Sequence, residues 1–173
     1  NSGELFFNDQ RKFGWIKVVK TGSHQKLINN MGPDILALDQ EQFLSLIKLR
    51  AKSKLKALLL DQSFVAGIGN IYADEALNAA HLHPESRVKD LNSEQLEGLY
   101  GHIQAILFLA VDLGGSSSKN YVDSRGKKGR YLDDARVYGR ADQDCQDCGS
   151  KIIKLKVAGR GTHICENCQK RMG

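Results

Sequence analysis

Hydrophobic residues recur at helical spacing through the middle of the chain. The longest run lies between positions 92 and 113, where one apolar stripe is formed by Leu96, Leu99, Ile103, Ile106, Leu107, Ala110 and Leu113. Asn92 is followed three residues later by Gln95, which is a capping-box pair. We therefore predict a long helix that starts at Asn92, packs its stripe against a bundle core and ends at Gly114–Gly115.

Two shorter helices are predicted before this one. Asp39 and Gln42 form a second capping-box pair, directly ahead of a periodic apolar run. Ser53 is placed to cap a following helix that reaches Leu60. These segments indicate a small helical bundle.

A turn with two glycines, Gly67–Asn70, precedes another helix, which we predict from Ile71 to about Ala80 with Asn70 as its N-cap. Glycines leave backbone N–H groups accessible, and a helix N-terminus attracts anions, so this turn suits a phosphate. An ordinary helix-capping turn explains the same residues, and the pattern alone does not choose between the two.

Alternation replaces helical spacing near both ends of the chain. Positions 4–20 predict two strands around a polar turn near Asn8–Lys12. Two strands are marginal in water without partners, so this segment predicts the edge of a β-rich domain that continues towards the N-terminus. Lys151–Val157 and Thr162–Cys165 predict a hairpin joined at the four residues 158–161. Between the helices and the hairpin, positions 115–140 lack apolar periodicity and predict a long loop.

Composition narrows the class of protein. The 173 residues are 41% hydrophobic, enough for one ordinary core and a small appendage. No apolar run reaches the length of a membrane helix and no signal peptide is visible, so we expect a soluble, cytoplasmic bacterial protein. The formal net charge is only +5, but Lys119–Arg140 carries seven basic residues against three acids, and Lys151–Arg171 six against one. Nucleic acid is the partner that such a distribution suggests.

Two Cys-x-x-Cys pairs separated by 16 residues carry the strongest chemical signal: Cys145, Cys148, Cys165 and Cys168. Four thiolates in tetrahedral geometry select zinc, and they leave no open position for catalysis, so we predict one structural Zn²⁺. Two disulfides would need a secretory context, and an iron–sulfur centre is a further alternative. His163 is a competing ligand, although the cysteines complete the shell without it. Arg160, between two glycines at the hairpin tip, can reach phosphates or remain a solvated turn arginine.

Three motifs in the same order resemble the formamidopyrimidine-DNA glycosylase family. The string Leu60–Glu75 is similar to its helix–two-turn–helix motif, Asp9–Gly14 to a turn near the end of its N-terminal β-sandwich, and Val137–Arg140 with Gly159–Cys165 to its zinc finger. The resemblance implies a mainly α fold: a helix–two-turn–helix bundle, then a four-cysteine zinc β-hairpin finger, with a short β remnant of the sandwich. The implied domains are 1–20 (remnant strands), 21–115 (helix–two-turn–helix), 116–140 (lesion loop and connection) and 141–173 (zinc finger).

The same resemblance implies DNA-contacting residues. Arg11 and Phe13 would fill the space left by a flipped nucleotide, and Gly69, Asn70 and Arg160 would hold backbone phosphates, with a role for Arg160 in the final elimination. Basic residues that face DNA in the family correspond to Lys52, Lys54 and Lys56. The loop over the damaged base would contain Lys119, Tyr121, Arg125 and Lys127.

Two departures from the family pattern qualify the implied function. The family's nucleophile is an N-terminal proline, whereas this sequence begins Asn1–Gly3, which indicates a fragment that binds DNA without excising bases or, alternatively, a reduced relative. The loop reads Arg125–Tyr131 where the family commonly has Asp-Gly-x-Pro-Gly-Tyr-Phe, and the added charge should strengthen non-specific phosphate attraction.

The expected function is therefore the DNA-binding part of a glycosylase and abasic-site lyase that removes oxidised purines. Its expected partners are damaged double-stranded DNA and an N-terminal catalytic domain, in a monomeric protein of the bacterial nucleoid. The alternatives are an endonuclease VIII-like enzyme for oxidised pyrimidines, a non-catalytic protein that binds damaged DNA, and a zinc-ribbon RNA-binding module.

Overall fold

The computed structural model describes residues 3–7, 9, 12, 14–24, 30–117, 122 and 126–173. Two compact units are present, Asn1–Asn30 and Met31–Gly173, and each is considered by itself. The second unit contains the helices α1 (Gln40–Lys48), α2 (Leu55–Leu59), α3 (Asn70–Ala79) and α4 (Ser93–Asp112), followed by the strands β1 (Ile153–Val157) and β2 (Arg160–Ile164). Short 3₁₀ turns lie at Ile35–Ala37, Val88–Asp90 and Tyr131–Asp134.

The predicted start and end of the long helix α4 are both confirmed. At its start, Asn92 and Gln95 form the reciprocal capping box, with hydrogen bonds of 2.8 and 3.0 Å. At its end, Gly114 and Gly115 have φ values of +74° and +85°. Their N–H groups donate to the carbonyls of Val111 and Ala110, which is the Schellman pattern. Most of the predicted stripe is buried and packs on α1 and α3.

The predicted capping of the earlier helices is only partly correct. Asp39 and Gln42 do form a capping box on α1. The N-cap of α2 is Lys54 rather than Ser53, and within the described part of the chain no side chain caps it. Instead, the first N–H groups of α2, those of Leu55 and Lys56, donate to carbonyls of the passing segment 84–86. A tertiary contact therefore replaces the local cap that the sequence suggested.

The core of the second unit lies between the helices. Its largest fully buried side chains include Phe43, Ile47, Leu55, Leu59, Ile68, Leu77, Leu99 and Ile103. Around the cysteines lies a separate, much smaller core that contains Val137 and Ile152. So few apolar side chains cannot hold a hairpin by burial alone, so the folding of the finger depends on metal binding.

The hairpin differs from its prediction at the tip. Val157 pairs with Arg160, so the turn consists of Ala158 and Gly159 alone. Their φ values are +50° and +75°, as a type I′ turn requires, and this turn type matches the twist of the two strands. Arg160 and Gly161, predicted within the turn, are the first residues of β2. The side chain of Arg160 is therefore exposed on a strand with a fixed backbone.

No strand is found among the described residues of the first unit, although two were predicted within positions 4–20. Large apolar side chains there, including Phe6 and Trp15, are exposed. A strand needs a partner to complete its hydrogen bonds, and the described residues supply none. The turn around Asp9 is formed: the N–H of Lys12 donates to the Asp9 carbonyl at 3.2 Å, and that of Gly14 donates to its carboxylate.

Among the described residues, no helix is both long and apolar enough to cross a membrane.

Candidate nucleic-acid interface

The four cysteines converge as their spacing predicted. Their sulfur atoms all lie within 4.8 Å of one another, with Sγ–Sγ distances of 3.9 Å for Cys145–Cys168 and 3.5 Å for Cys148–Cys165. A tetrahedral zinc with bonds of about 2.3 Å holds its sulfur ligands about 3.8 Å apart. The donor set and its spacing therefore fit one structural Zn²⁺. His163 is not part of this cluster: its ring packs edge-on against Tyr138 and its Nδ1 lies 3.6 Å from Asp74.

The thiols of this cluster differ in environment. Hydrogen bonds from Ser150 and Asn167 lower the pKa of Cys148 to about 5, whereas burial raises the pKa values of Cys165 and Cys168. Zinc ligation requires all four sulfurs as thiolates, so ion binding releases protons from thiols whose pKa is raised, such as Cys165 and Cys168.

A buried carboxylate on α3 holds the segment that leads into the finger. Glu75 is fully buried, and its Oε1 accepts hydrogen bonds from the N–H groups of Val137 and Tyr138 at 3.0 and 2.8 Å. Its Oε2 accepts one from the N–H of Arg136 at 2.7 Å and a longer one from the Tyr131 hydroxyl at 3.4 Å. Burial, and then the charge of Glu75, raise the pKa of Tyr131, so the phenol stays protonated as a donor. This explains part of the Val137–Arg140 motif.

The final arginine of that motif is also structural. The Arg140 guanidinium donates to the carbonyls of Arg136 at 2.8 Å and Asp144 at 3.0 Å, and so fixes the chain as it enters the finger. One helical turn beyond Glu75, Asn78 donates to Gln169 at 3.0 Å. Gln169 in turn accepts from the N–H of Cys165, so α3 is linked to a zinc-ligand backbone.

Sequence reasoning missed these attachments. They involve Glu75, Asn78 and also Asp74, whose Oδ2 accepts from the N–H of His163 at 3.0 Å. Each of these three side chains belongs to a residue that is at most 1% exposed. Their signal in the sequence is a set of polar residues on one side of an otherwise apolar helix, which in isolation predicts a solvated face. The partner that covers them is some 60 to 90 residues away along the chain and is not visible locally.

Asn70 does not cap α3 as predicted. The N-cap is Gly69, and Asn70 is the first helical residue. Its side-chain nitrogen donates to the carbonyl of Gly161 at 3.1 Å, so the glycine turn and strand β2 are in direct contact. Its Oδ1 is buried and accepts no hydrogen bond from the described residues. No side chain in this part of the structure caps the N-terminus of α3. Gly69 is exposed there, and Arg160, which precedes Gly161 on β2, is exposed as well.

The turn itself is held by its neighbours. Gln62 donates to the carbonyl of Ile68 at 3.0 Å and accepts from the N–H of Gly67 at 3.1 Å. Gly32 passes so close to this region that a Cβ there would lie 2.4 Å from the Phe64 carbonyl oxygen. The helix N-terminus that could meet an anion is therefore rigidly placed.

A cavity of about 300 Å³ adjoins this turn. Its lining is mainly apolar and includes Ile35, Gly67, Tyr72, Leu107 and Gly115. The cavity thus lies between the glycine turn and the C-terminal end of α4, from which the loop 116–131 departs.

The remaining predicted site residues differ in their exposure to solvent, and some lie outside the described residues. Lys52 and Lys127 are exposed. Lys56 is 0% exposed, and its ammonium lies 2.6 Å from Asp74 Oδ1, so its position excludes the direct DNA contact we expected. The predicted roles of Arg11, Phe13, Lys119, Tyr121 and Arg125 fall outside the described residues.

Comparison with known families decides the identity of this arrangement. A family model described as the formamidopyrimidine-DNA glycosylase H2TH domain matches residues 31–122, and one described as the zinc finger found in FPG and IleRS matches residues 143–171. The chain belongs to the formamidopyrimidine-DNA glycosylase family. The four-cysteine cluster is accordingly the structural zinc site of a glycosylase-family finger.

Individual relatives agree with this family assignment. A formamidopyrimidine-DNA glycosylase of Listeria monocytogenes serotype 4b is 42% identical over 171 residues, which are 96% of this chain and 62% of that protein. One from Heliobacterium modesticaldum is 41% identical over 170 residues, 96% of this chain and 61% of that protein. The chain thus spans less than two thirds of the curated glycosylases it matches.

Solved structures of the family show the same fold. The MutM (Fpg) protein of Thermus thermophilus superposes with a TM-score of 0.86 at 38% identity, over 95% of this chain and 64% of that one. The Lactococcus lactis Fpg in complex with an abasic-site-containing DNA gives 0.76 at 38% identity, over 86% of this chain and 56% of that one. The predicted fold class, a helix–two-turn–helix bundle followed by a zinc hairpin, is confirmed.

Proposed function

We propose that this chain is the DNA-binding part of a base-excision DNA glycosylase and that it grips duplex DNA by its phosphates. One observation carries the proposal: the 3.1 Å hydrogen bond from Asn70 to the Gly161 carbonyl. It joins the first turn of α3 to the strand that bears Arg160. The N-terminus of α3, which is the positive end of the helix dipole, therefore meets the strand that carries the exposed Arg160.

The surrounding features support an anionic ligand. The N-terminus of α3 begins at Gly69, where a Cβ would meet no described atom within 4 Å, so a phosphate has access to the backbone. Arg160 can bind a phosphate through two parallel hydrogen bonds. The Lactococcus lactis Fpg, which matches this fold, has been crystallised with lesion-containing DNA.

We further propose that the cavity beside the glycine turn receives the flipped base. Its volume of about 300 Å³ is at the lower end of small-molecule sites, and it is lined by Tyr72 and aliphatic side chains. Lys119, Tyr121, Arg125 and Lys127 belong to the loop that would close over that base, while Arg11 and Phe13 would fill the space it leaves.

The reaction belongs to the whole protein. By family resemblance it is removal of oxidised purines, such as 8-oxoguanine and formamidopyrimidines, followed by strand cleavage at the abasic site. The nucleophile would lie in the part of the relatives that this chain does not match. We propose that these residues alone bind damaged DNA as a monomer without excising bases, and that Arg160 serves the final elimination when the catalytic domain is present.

Fluorescence anisotropy with a short duplex containing a tetrahydrofuran abasic analogue tests the binding proposal. We expect binding that weakens steeply with salt and an Arg160→Ala variant with lower affinity, whereas Lys48→Ala, an exposed change at the end of α1, serves as the control. Equal affinity of Arg160→Ala and the unsubstituted chain at low salt contradicts the proposed grip. Separately, borohydride trapping on an 8-oxoguanine duplex should give no covalent adduct; an adduct contradicts the proposed lack of excision.

A further inference from the structure

A buried ion pair lies beneath strand β2. Lys56 of α2 and Asp74 of α3 are both inaccessible to solvent, with 2.6 Å between Nζ and Oδ1. The ammonium also donates to the Thr162 hydroxyl at 2.6 Å and points a third hydrogen towards the Gly161 carbonyl at 3.3 Å. A lysine ammonium has three donors, and here each has an acceptor.

Stability alone does not account for this pair. Removing two charges from water costs several kcal/mol per ion, and well-packed apolar side chains of similar volume often serve stability equally well. Burial lowers the pKa of Lys56, the nearby carboxylate of Asp74 raises it again, and the positive charge of Arg160 lowers it further. An apolar pair would avoid these costs but would supply no polar contacts to β2.

The contacts made by the pair converge on the backbone around Arg160. The Thr162 hydroxyl, which accepts from Lys56, donates to the Arg160 carbonyl at 3.2 Å. The second oxygen of Asp74 accepts from the N–H of His163 at 3.0 Å. Together with Asn70, which binds the Gly161 carbonyl, the bundle holds each residue from Arg160 to His163 by a polar contact, directly or through Thr162.

We propose that Lys56, Asp74 and Thr162 are positioning residues: a buried relay that fixes the backbone of Arg160 against the N-terminus of α3, so that both meet the same DNA phosphate. This inference rests on the proposed function, because it presumes that Arg160 contacts DNA. It assigns Lys56 an indirect role in place of the surface contact its sequence position suggested. It also gives the Thr162 hydroxyl a definite task, since among the described residues that hydroxyl links the ion pair to the Arg160 carbonyl.

Thr162 offers a matched pair of variants. Thr162→Val keeps the shape and the strand preference of the side chain but removes the hydroxyl, whereas Thr162→Ser keeps the hydroxyl. Zinc content and thermal unfolding of both variants are measured first, and anisotropy with the tetrahydrofuran duplex is then recorded at several salt concentrations. We expect Thr162→Val to bind about tenfold more weakly, the loss that corresponds to a hydrogen bond of ordinary strength. Its plot of log affinity against log salt should be shallower by about 0.9, the value for one lost phosphate contact. Thr162→Ser should behave as the unsubstituted chain.

A double-variant cycle separates positioning from general weakening. If Thr162 acts through Arg160, Thr162→Val should have no further effect on affinity in an Arg160→Ala background. An equal loss in both backgrounds, or a Thr162→Val variant that binds as tightly as Thr162→Ser, overturns the inference while leaving the proposed function intact. If Arg160→Ala itself binds normally, both proposals fail.

A second variant tests the inference if Thr162→Val fails to fold. Should Thr162→Val lose its zinc, Asp74→Asn gives an independent reading, because the amide oxygen still offers an acceptor to Lys56 or His163 while the charge is removed. We expect Asp74→Asn to bind the duplex more weakly, and we expect no such effect of this substitution in the Arg160→Ala background. Normal binding by a folded, zinc-loaded Asp74→Asn variant overturns the inference.

Discussion

Replacing Glu75 by glutamine changes one atom of a fully buried side chain. In the structure, the two carboxylate oxygens accept from three consecutive backbone N–H groups, those of residues 136–138, at 2.7 to 3.0 Å. A glutamine can present only one of its two terminal atoms as an acceptor. Its –NH₂ group must therefore face at least one of these N–H donors, which leaves that donor buried and unsatisfied.

The size of the effect follows from these hydrogen bonds. A hydrogen bond to a charged group contributes about 1.5–3 kcal/mol, and Glu75→Gln weakens all three while breaking at least one. We expect the free energy of unfolding to fall by about 2–4 kcal/mol, within the range for breaking a buried charged network. Because the affected N–H groups belong to the segment that leads into the finger, attachment of the finger to α3 should suffer most.

Urea unfolding followed by circular dichroism measures this change, and zinc content reports on the finger. The same chemical substitution at an exposed glutamate of α4, Glu97→Gln, is the matched control and should alter stability by less than about 0.5 kcal/mol. If Glu75→Gln destabilises the chain no more than Glu97→Gln does, the Glu75 carboxylate does not hold the finger.

Further predictions concern the hairpin turn, the exposed residues Lys128 and Arg130, the close approach of Gly32 to Phe64, and the zinc. Ala158→Asn should raise the melting temperature, since asparagine tolerates the +50° φ that costs alanine about 1 kcal/mol; an unchanged or lower value argues against the turn type. Lys128→Ala and Arg130→Ala, both exposed, should each lower the salt slope of duplex binding by up to about 0.9, and equal slopes exclude them as phosphate contacts. Gly32→Ala should lower stability by more than about 1 kcal/mol because its Cβ would meet the Phe64 carbonyl at 2.4 Å; neutral behaviour in thermal unfolding contradicts that close approach. Chelation of zinc should abolish duplex binding yet keep most helical circular dichroism, and binding that survives chelation disproves the finger's role.

Local signals in the sequence predicted the elements whose causes are local. The capping boxes at Asp39 and Asn92 and the glycine end of α4 depend on residues within one turn of each other. The cysteine spacing was equally informative, because metal geometry restricts which residues can meet. Family resemblance supplied the order of the domains, which periodicity alone could not.

The errors at Ser53, Asn70 and Lys56 share one physical origin, which is contact between distant segments. Ser53 and Asn70 both have side chains suited to N-caps. At α2, however, carbonyls of the segment 84–86 accept from the first N–H groups of the helix, and at α3 the Asn70 side chain binds strand β2 instead. Lys56 resembles a surface lysine in sequence, and only the fold brings Asp74 and Thr162 around it. Residues that bind the finger to the bundle were therefore the least visible before the structure.

We propose that the turn before α3 and the hairpin form a single phosphate grip through Asn70 and Arg160. A double-mutant cycle on duplex affinity, with Asn70→Ala and Arg160→Ala singly and together, tests it most directly. We predict strong coupling, of about 1 kcal/mol or more, because removing either group already weakens the hold on the phosphate that both would bind. Strictly additive losses would show that the two residues contact DNA independently and would contradict the account.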